Sequence, residues 1–160
     1  MAVSFVPARP EDAQALSELR RRVWLTTYRG IYPDDMLDNF DYAFHDERNR
    51  AWIVSDRHEV FLITLDGENI GYLILVKGDP MHVQSLYLLE AYRGRGYGRE
   101  AMAFIREACR LHGAASFYLT CHPRNERALG FYAKMGGVIT ARDDGNAHEY
   151  ENSIRLDFQV

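Results

Sequence analysis

Three glycines at alternate positions separate an apolar stretch from an amphipathic one near the middle of the chain. The apolar stretch LYLL covers residues 86–89, the stretch RGRGYG covers residues 93–98, and a helical pattern then runs to Gly113. Apolar residues followed by glycines and then by a helical pattern predict a strand, a tight loop and a helix. The first N–H groups of a helix have no partner within it, and glycine lets a ligand approach the backbone closely. This junction therefore predicts a site for an anion such as phosphate.

The charge and the spacing of this loop narrow the kind of phosphate site. Arg93, Arg95 and Arg99 surround the glycines with positive charge. The spacing is neither that of the GxxxxGK[ST] loop nor that of the GxGxxG loop of dinucleotide-binding folds. A glycine pattern alone is a weak signal, so a plain glycine-rich turn with solvated arginines stays an alternative at this point.

The first half of the chain predicts helices and an antiparallel meander. The stretch VSFVPA alternates as a strand does, and the helical spacing that follows Pro10 predicts a first helix. A second helical region covers roughly residues 34–51. Two apolar runs around Asp66 and Gly67 predict a hairpin, and HVQSLYLL (residues 82–89) predicts a third strand of the same meander.

The second half predicts one parallel strand pair. The stretch SFYLTC (residues 116–121) predicts a strand, and the length of the crossover predicts that it runs parallel to the strand before the glycine loop. The stretch NERALGFYAKMGG predicts a short helix that begins at Asn125 and ends at its glycines. Two last strands are predicted around residues 143–146. The fold class is therefore α/β, with a mixed, mostly antiparallel sheet flanked by helices.

Composition excludes several classes of function. With 160 residues the chain is expected to form one domain, residues 1–160. A net charge of −4 argues against a surface built to bind nucleic acid. The chain has neither an apolar run of about 18–20 residues nor the plan of a signal peptide, so we expect no membrane association. Cys109 and Cys121 fit no metal spacing and no disulfide framework, so we expect no metal and a cytoplasmic location.

Two motifs resemble landmarks of the GCN5-related N-acetyltransferase (GNAT) family. RGRGYG fits the [QR]xxGx[GA] acyl-CoA signature of that family, and NERALGFYAKMGG is similar to its second landmark. The stretches VPARPEDAQAL and WLTTYRGIYPDDML resemble its opening strand and helix and its substrate-side helices. The resemblance implies a single N-acetyltransferase domain in which a splayed parallel strand pair holds acetyl-CoA.

The resemblance also implies where acetyl-CoA binds. The loop amides would bind the pyrophosphate, residues 86–88 would offer backbone groups to the pantetheine arm, and the N–H of Leu88 would polarise the thioester carbonyl. Asn125 is expected both to cap its helix and to bind the CoA arm. The residues expected at the donor are Leu86, Tyr87, Leu88, Arg93, Gly94, Arg95, Gly96, Tyr97, Gly98, Arg99 and Asn125.

The resemblance further suggests an acid and a base. Tyr132 occupies the position of a tyrosine that protonates the departing thiolate in the family, although it could simply pack in the core. His82 matches a position at which the histone-acetylating branch of the family has a glutamate that acts as the base, and a histidine could do the same near neutral pH. It could instead be a histidine at the end of a strand that faces water. Gln84 could orient a water molecule, and Glu90 and His148 are weaker candidates for the base.

The predicted function is direct transfer of an acetyl group from acetyl-CoA to a primary amine of a small molecule or peptide. The alternatives are a catalytically silent CoA-binding module of the same fold and a loop that binds a nucleotide instead. The acceptor stays open, although the negative charge suits a cationic amine, and Glu149 or Glu151 could lie near it. A homodimer is possible because dimers are frequent in the family.

Overall fold

The computed structural model describes residues 2–160, which form both strands and helices. The strands are β1 (Ser4–Pro7), β2 (His58–Leu65), β3 (Glu68–Val76), β4 (Met81–Leu88), β5 (Ser116–Cys121), β6 (Val138–Asp143) and β7 (Ser153–Gln159). The helices are α1 (Ala13–Thr27), α2 (Asp34–Asp38), α3 (Tyr42–Ile53), α4 (Tyr97–His112) and α5 (Glu126–Lys134). The α/β class predicted from the sequence is confirmed.

Within residues 2–160 the strands form one sheet in the order β1-β2-β3-β4-β5-β7-β6. All neighbouring strands there run antiparallel except β4 and β5, which run parallel as predicted. The hairpin between β2 and β3 turns at Asp66 (φ 51°) and Gly67 (φ 82°), the positive angles that a two-residue turn of this type needs.

Each face of the sheet buries its own apolar cluster. On one face α4 contributes Met102 and Ile105, which pack with Phe117 and Phe158 of the sheet. On the other face α1 lies over the strands, and its buried residues Leu16, Leu19 and Val23 pack with Tyr72 and Ile74. This three-layer arrangement leaves the two ends of the strands free to form a site.

The parallel pair is joined over a very short length. Met81 pairs with Phe117 and His82 pairs with Tyr118, after which β4 and β5 separate. Immediately beyond these pairs Gln84 has no partner on β3, because the register shifts between Ile74 and Leu75. Such a bulge bends a strand and increases its twist, so β4 turns away from β5 at this point. The splayed pair that the family resemblance implies is therefore present.

The boundaries of the N-terminal helices differ from the sequence prediction. The first helical stretch begins with a single 3₁₀ turn, Pro10–Asp12, before α1. The region predicted over residues 34–51 contains two helices, because Asp41 starts a new one by accepting a hydrogen bond from the Phe44 N–H at 3.0 Å. The break lies at residues 39–41, and a separate connection, residues 28–33, joins α1 to α2.

Candidate active site

A cavity of about 520 Å³ fills the gap between β4 and β5. Its volume lies in the range of small-molecule sites, about 300–1,000 Å³. We call it the gap cavity, and its lining consists of residues 27, 28, 83–88, 93, 94, 96, 98, 99, 119–121, 125, 127, 128, 131, 132, 134 and 135. The walls therefore come from the end of α1, from both separated strands, from the glycine loop and from α5.

The backbone N–H and C=O groups of two residues of β4 face this gap. The N–H of Leu89 donates to the carbonyl of Ile70 at 2.8 Å, so Leu89 faces the antiparallel neighbour β3. Because successive residues of a strand direct their backbone groups to opposite sides, Leu86 and Leu88 face the gap and Tyr87 faces β3. Of the predicted residues 86–88, two offer backbone groups to the gap, whereas Tyr87 contributes through its side chain.

The glycine loop places free N–H groups at the start of α4. Gly94 and Gly96 have φ angles of 75° and 91°, which side-chain-bearing residues rarely adopt. Gly96 is the N-cap of α4 without a side-chain cap, and the first helical hydrogen bond joins the Glu100 N–H to its carbonyl at 3.2 Å. The N–H groups of residues 97–99 consequently have no helical partner and form the positive end of a long helix.

Two residues of the loop have structural roles of their own. A Cβ on Gly98 would lie 3.0 Å from Cζ of Phe131, so this glycine lets α4 pack closely against α5. Tyr97 is 9% exposed, and its side chain belongs to the apolar cluster. In both cases the backbone N–H, and not the side chain, is available to an anion.

Arg93 lines the gap cavity and also contacts the ends of β4 and α1. Its Nε donates to the carbonyl of Leu88 at 3.1 Å, and its Nη2 donates to Oγ1 of Thr27 at 3.0 Å. Burial, followed by the neighbouring Arg127, lowers the pKa of this guanidinium below its ordinary value. Arg93 therefore connects the end of β4 to the end of α1 through its Nε and Nη2 atoms.

The remaining arginines divide between the cavity and the surface. Arg95 lies outside the cavity lining, with its guanidinium 5.7 Å from the ring centre of Tyr92. Arg99 lines the gap cavity. Arg127 also lines it, and its Nη2 lies 3.7 Å from where a Cβ of Gly94 would stand. Arg127 is not among the residues expected at the donor, although its position two residues after Asn125 in the second motif was a usable signal.

The start of α5 brings Asn125 and Tyr132 to the cavity. Asn125 caps the helix, because its side-chain oxygen accepts a hydrogen bond from the Ala128 N–H at 3.4 Å. Tyr132 lines the cavity and is 9% exposed, packed against Phe158. Burial raises the pKa of its hydroxyl well above the ordinary value, and the nearby Cys121 and Tyr87 raise it further. The phenol therefore stays protonated and can donate a proton into the cavity.

Cys121 is the thiol of the gap cavity. It lies at the end of β5, and burial raises its pKa from 9.0 to about 12. Its sulfur is within 3.7 Å of the carbonyl of His122 and 3.9 Å of that of Asn125. Since the thiolate is the nucleophilic form of cysteine, this residue is poorly suited to carry an acyl group.

His82 lies next to the cavity but does not line it. It stands where β4 still pairs with β5, and its ring stacks on Tyr118 at 4.6 Å between centroids. Burial, followed by the positive charges of Arg155 and His58, lowers its pKa below 6.5. The imidazole is therefore neutral at pH 7 and able to accept a proton, while Gln84 on the same strand does line the cavity.

Tyrosines form the wall of the cavity that faces α1. The hydroxyls of Tyr28 and Tyr87 are 2.6 Å apart and share a hydrogen bond. Burial raises the pKa of both. Both residues line the gap cavity, so the end of α1 and β4 share one of its walls.

Over residues 2–160, no three His, Cys, Asp or Glu side chains come together as metal ligands would. The helices in that range are also too short or too polar for any of them to span a membrane.

Comparison with known proteins agrees with this geometry. The sequence model of the Acetyltransferase (GNAT) family matches residues 16–137. An uncharacterized N-acetyltransferase of Mycobacterium tuberculosis is 28% identical over 131 residues, which cover 80% of this chain and 84% of that protein. A spermidine N(1)-acetyltransferase of Thermoplasma acidophilum is 23% identical over 149 residues, 89% of this chain and 92% of that one.

The fold has close counterparts among solved structures. The PaiA N-acetyltransferase of Thermoplasma acidophilum, solved in complex with coenzyme A, superposes with a TM-score of 0.84 over 100% of both chains at 20% identity. This likeness supports the predicted fold, and the matched family model confirms the resemblance first noted in the glycine loop. The protein belongs to the GNAT family of acetyltransferases and is an acetyl-CoA-dependent acyltransferase.

Proposed function

We propose that this protein transfers an acetyl group directly from acetyl-CoA to the primary amine of a small molecule or peptide. The observation that carries the proposal is the convergence, in one gap cavity, of free backbone N–H groups, four cationic side chains and a protonated tyrosine. A spermidine acetyltransferase among the relatives also supports an amine acceptor.

The chain offers matching groups along the length of the donor. The free N–H groups of residues 97–99, with Arg99 and Arg127, bind the pyrophosphate. The N–H groups of Leu86 and Leu88 bind the amide-rich pantetheine arm as a neighbouring strand would, and one of them polarises the thioester carbonyl. Asn125 completes the wall beside that arm.

The transfer needs no covalent enzyme intermediate. The uncharged amine nitrogen attacks the carbonyl carbon, a C–N bond forms, and the C–S bond breaks. Tyr132 gives its proton to the departing sulfur and then regains one that the attacking nitrogen releases. The high pKa of Cys121 supports this route over an acyl-cysteine.

An acceptor that arrives as an ammonium loses one proton before its nitrogen attacks, in addition to the one that Tyr132 later regains. Neither a carboxylate nor an imidazole is among the lining residues, and His82 directly precedes the lining residue Val83. Its low pKa keeps it unprotonated at neutral pH. We propose that His82 accepts the proton through intervening water, with Gln84 orienting that water.

The test combines turnover with binding. Purified protein is given acetyl-CoA and a panel of amines, and release of free thiol is followed together with the mass of the acetylated product. Thermal shifts with acetyl-CoA and with ATP are measured in parallel. Amine-dependent thiol release is expected, with stabilisation by acetyl-CoA.

The other outcomes would separate the competing functions. Stabilisation by acetyl-CoA without thiol release would indicate a silent CoA-binding module. Stabilisation by ATP alone would show that the glycine loop serves a nucleotide.

A further inference from the structure

Three side chains stack on one another across β4, β5 and β7. The ring of His82 lies 4.6 Å from that of Tyr118 between centroids, with 6° between the two planes. The guanidinium carbon of Arg155 lies 3.8 Å from the centre of the same tyrosine ring. Because β5 lies between β4 and β7 in the sheet, His82 and Arg155 approach Tyr118 from opposite sides. We call this arrangement the His–Tyr–Arg stack.

The alternation of side chains along each strand puts these three residues on one face of the sheet. Successive residues of a strand point to opposite faces, and the residues on either side of each member of the stack are buried in the apolar cluster of α4. These buried neighbours are Met81, Val83, Phe117, Leu119, Ile154 and Leu156. The stack therefore lies on the face opposite α4.

Arg155 is held over the tyrosine ring by an ion pair. Its Nε and Nη2 donate to the two carboxylate oxygens of Asp157, each at 2.9 Å. Thr140 of β6 donates to the same carboxylate. The hydrogen bonds from Arg155 lower the pKa of Asp157, so the carboxylate is ionised at neutral pH. Two parallel hydrogen bonds fix the plane of the guanidinium as well as its position.

Arg155 is the charged group that acts on His82 at neutral pH. Burial lowers the pKa of the imidazole most, followed by Arg155 of β7 and His58 of β2. The pKa of His58 is itself lowered, chiefly by burial, so that ring is uncharged at pH 7. Tyr118 is a neutral phenol at that pH, and Val76, the partner of His82 on β3, carries no charge.

The position of Arg155 changes what the tyrosine ring does for its other neighbour. The face of a tyrosine ring attracts a cation, so Tyr118 alone would favour a protonated imidazole. Arg155 already occupies the opposite face, and a second positive charge on the same ring would be repelled by the first. The His–Tyr–Arg stack therefore favours the uncharged form of His82.

We propose that Arg155 is a positioning residue for the reaction, which acts through Tyr118 to keep His82 uncharged and ready to accept the proton of the incoming amine. This inference rests on the proposed acetyltransferase function, in which His82 is the proton acceptor. It assigns a role to a side chain of β7 that does not line the gap cavity.

The first experiment follows the protonation of His82 without turnover. The imidazole signals are titrated by NMR and are identified by their absence from His82→Ala. In Arg155→Gln the titration is expected to move to higher pH, because a positive charge is lost and the carboxylate of Asp157 loses its partner. Arg142→Gln removes an exposed arginine of β6 outside the stack and is the matched control, with an unchanged titration.

The second experiment measures the pH–rate profile of the same variants by thiol release. In the acidic part of the profile, kcat/KM of Arg155→Gln is expected to fall about two- to fivefold below wild type, as the loss of one partly screened charge across a ring implies. At high pH, where His82 is unprotonated in both proteins, the rates should agree. The side chain of Arg155 is 38% exposed, so the variant is expected to fold.

Arg155→Lys separates the charge from the shape of the side chain. Lysine keeps the positive charge without the planar guanidinium, so both the titration and the profile are expected to return towards wild type. Values equal to those of Arg155→Gln would show that the charge is not what acts on His82, and would overturn the inference.

The remaining outcomes separate this inference from the proposed function. An unchanged titration of His82 in Arg155→Gln would overturn the inference, and so would a shifted titration with a wild-type pH–rate profile. Absence of thiol release from the wild-type protein with every amine would overturn the proposed function itself. That failure is recognised separately, because the titration needs no turnover.

Discussion

The surroundings of Tyr132 keep its hydroxyl protonated. It lies in a buried position between the apolar cluster and the gap cavity, and nothing among the groups acting on it stabilises the phenolate. The phenol is therefore still protonated when the thiolate forms, and burial makes that thiolate more basic as well, so that it can take the proton. The chemistry at this residue depends on its place at the end of α5 as much as on its identity.

Tyr132→Phe tests this role directly. We expect kcat to fall by about a hundredfold, because a positioned general acid contributes at least that much, while the affinity for acetyl-CoA is retained. Thiol release and calorimetry give the two quantities. Tyr42→Phe loses an exposed hydrogen bond to Glu18 at 2.9 Å and serves as the control with unchanged kcat. An unchanged kcat in Tyr132→Phe would assign protonation of the thiolate to water.

The lowered pKa of His82 leads to a prediction about the pH dependence of the rate. Its pKa lies below 6.5, so the base form persists down to mildly acidic pH and is lost only as the pH falls through that lowered value. We expect His82→Ala to lower the rate at pH 7 by about tenfold and to recover at high pH, where free amine and hydroxide replace the base. His112→Ala removes an imidazole paired with Glu59 at 2.7 Å and is the control. Parallel pH–rate profiles for wild type and His82→Ala would exclude His82 as the proton acceptor.

Individual residues in the glycine loop also show what the sequence could and could not predict. The spacing of Gly94 and Gly96 was sufficient to predict an anion site, because free N–H groups follow from the backbone alone. It could not distinguish Arg93, Arg95 and Arg99, since side chains that leave an irregular loop follow no periodicity. Arg93 and Arg99 both line the cavity, with Arg93 also bonded to Leu88 and Thr27, whereas Arg95 lies over Tyr92.

At the level of elements, the contact between α4 and α5 sets the positions of the groups that we expect to bind the pyrophosphate. Gly98 on α4 meets the ring of Phe131 on α5, and the same two helices carry the free N–H groups and Arg127. Any change that separates the helices also moves these groups apart.

Gly98→Ala is expected to cost about 1–3 kcal/mol of unfolding free energy, because the added methyl group overpacks against Phe131. It should also raise KM for acetyl-CoA. Gly130→Ala is the matched control, since a Cβ there meets nothing within 4 Å and a helical alanine stabilises by up to about 1 kcal/mol. Chemical denaturation measures both, and equal stability of the two variants would contradict the packing role of Gly98.

The elements themselves were largely predictable from local patterns. The hairpin at Asp66 and Gly67 and the cap at Asn125 follow from short-range chemistry, and both are confirmed. The division of residues 34–51 into α2 and α3 was missed, because helical spacing continues across a break that one capping side chain, Asp41, creates.

In the whole molecule, the sheet has two parts joined by two residue pairs of β4 and β5. Four strands lie on the N-terminal side of that junction and three on the other. The sequence predicted the two last strands but not that β7 would lie between β5 and β6, since either strand of a terminal hairpin can pair with its neighbour. That order places β7 against β5 and leaves β6 at the edge.

Acetyl-CoA binding should therefore change the dynamics of one part more than the other. We expect slower amide hydrogen exchange in β5 and α5 when the donor fills the gap, because it replaces the contacts that the separated strands lack. Exchange in β1 and β2, which pair along four residue pairs far from the gap, is the internal control. A uniform change over the whole sheet would contradict this view of the junction.

The unpaired Gln84 on β4 has a consequence for the width of the gap between β4 and β5. Deleting that single residue would let the flanking segments match β3 without interruption, giving a more regular and sturdier sheet. The straightened strand would close against its parallel neighbour and leave no room for a reactant. One additional residue in a strand thus keeps the cavity open and makes the pairing of β3 with β4 less regular.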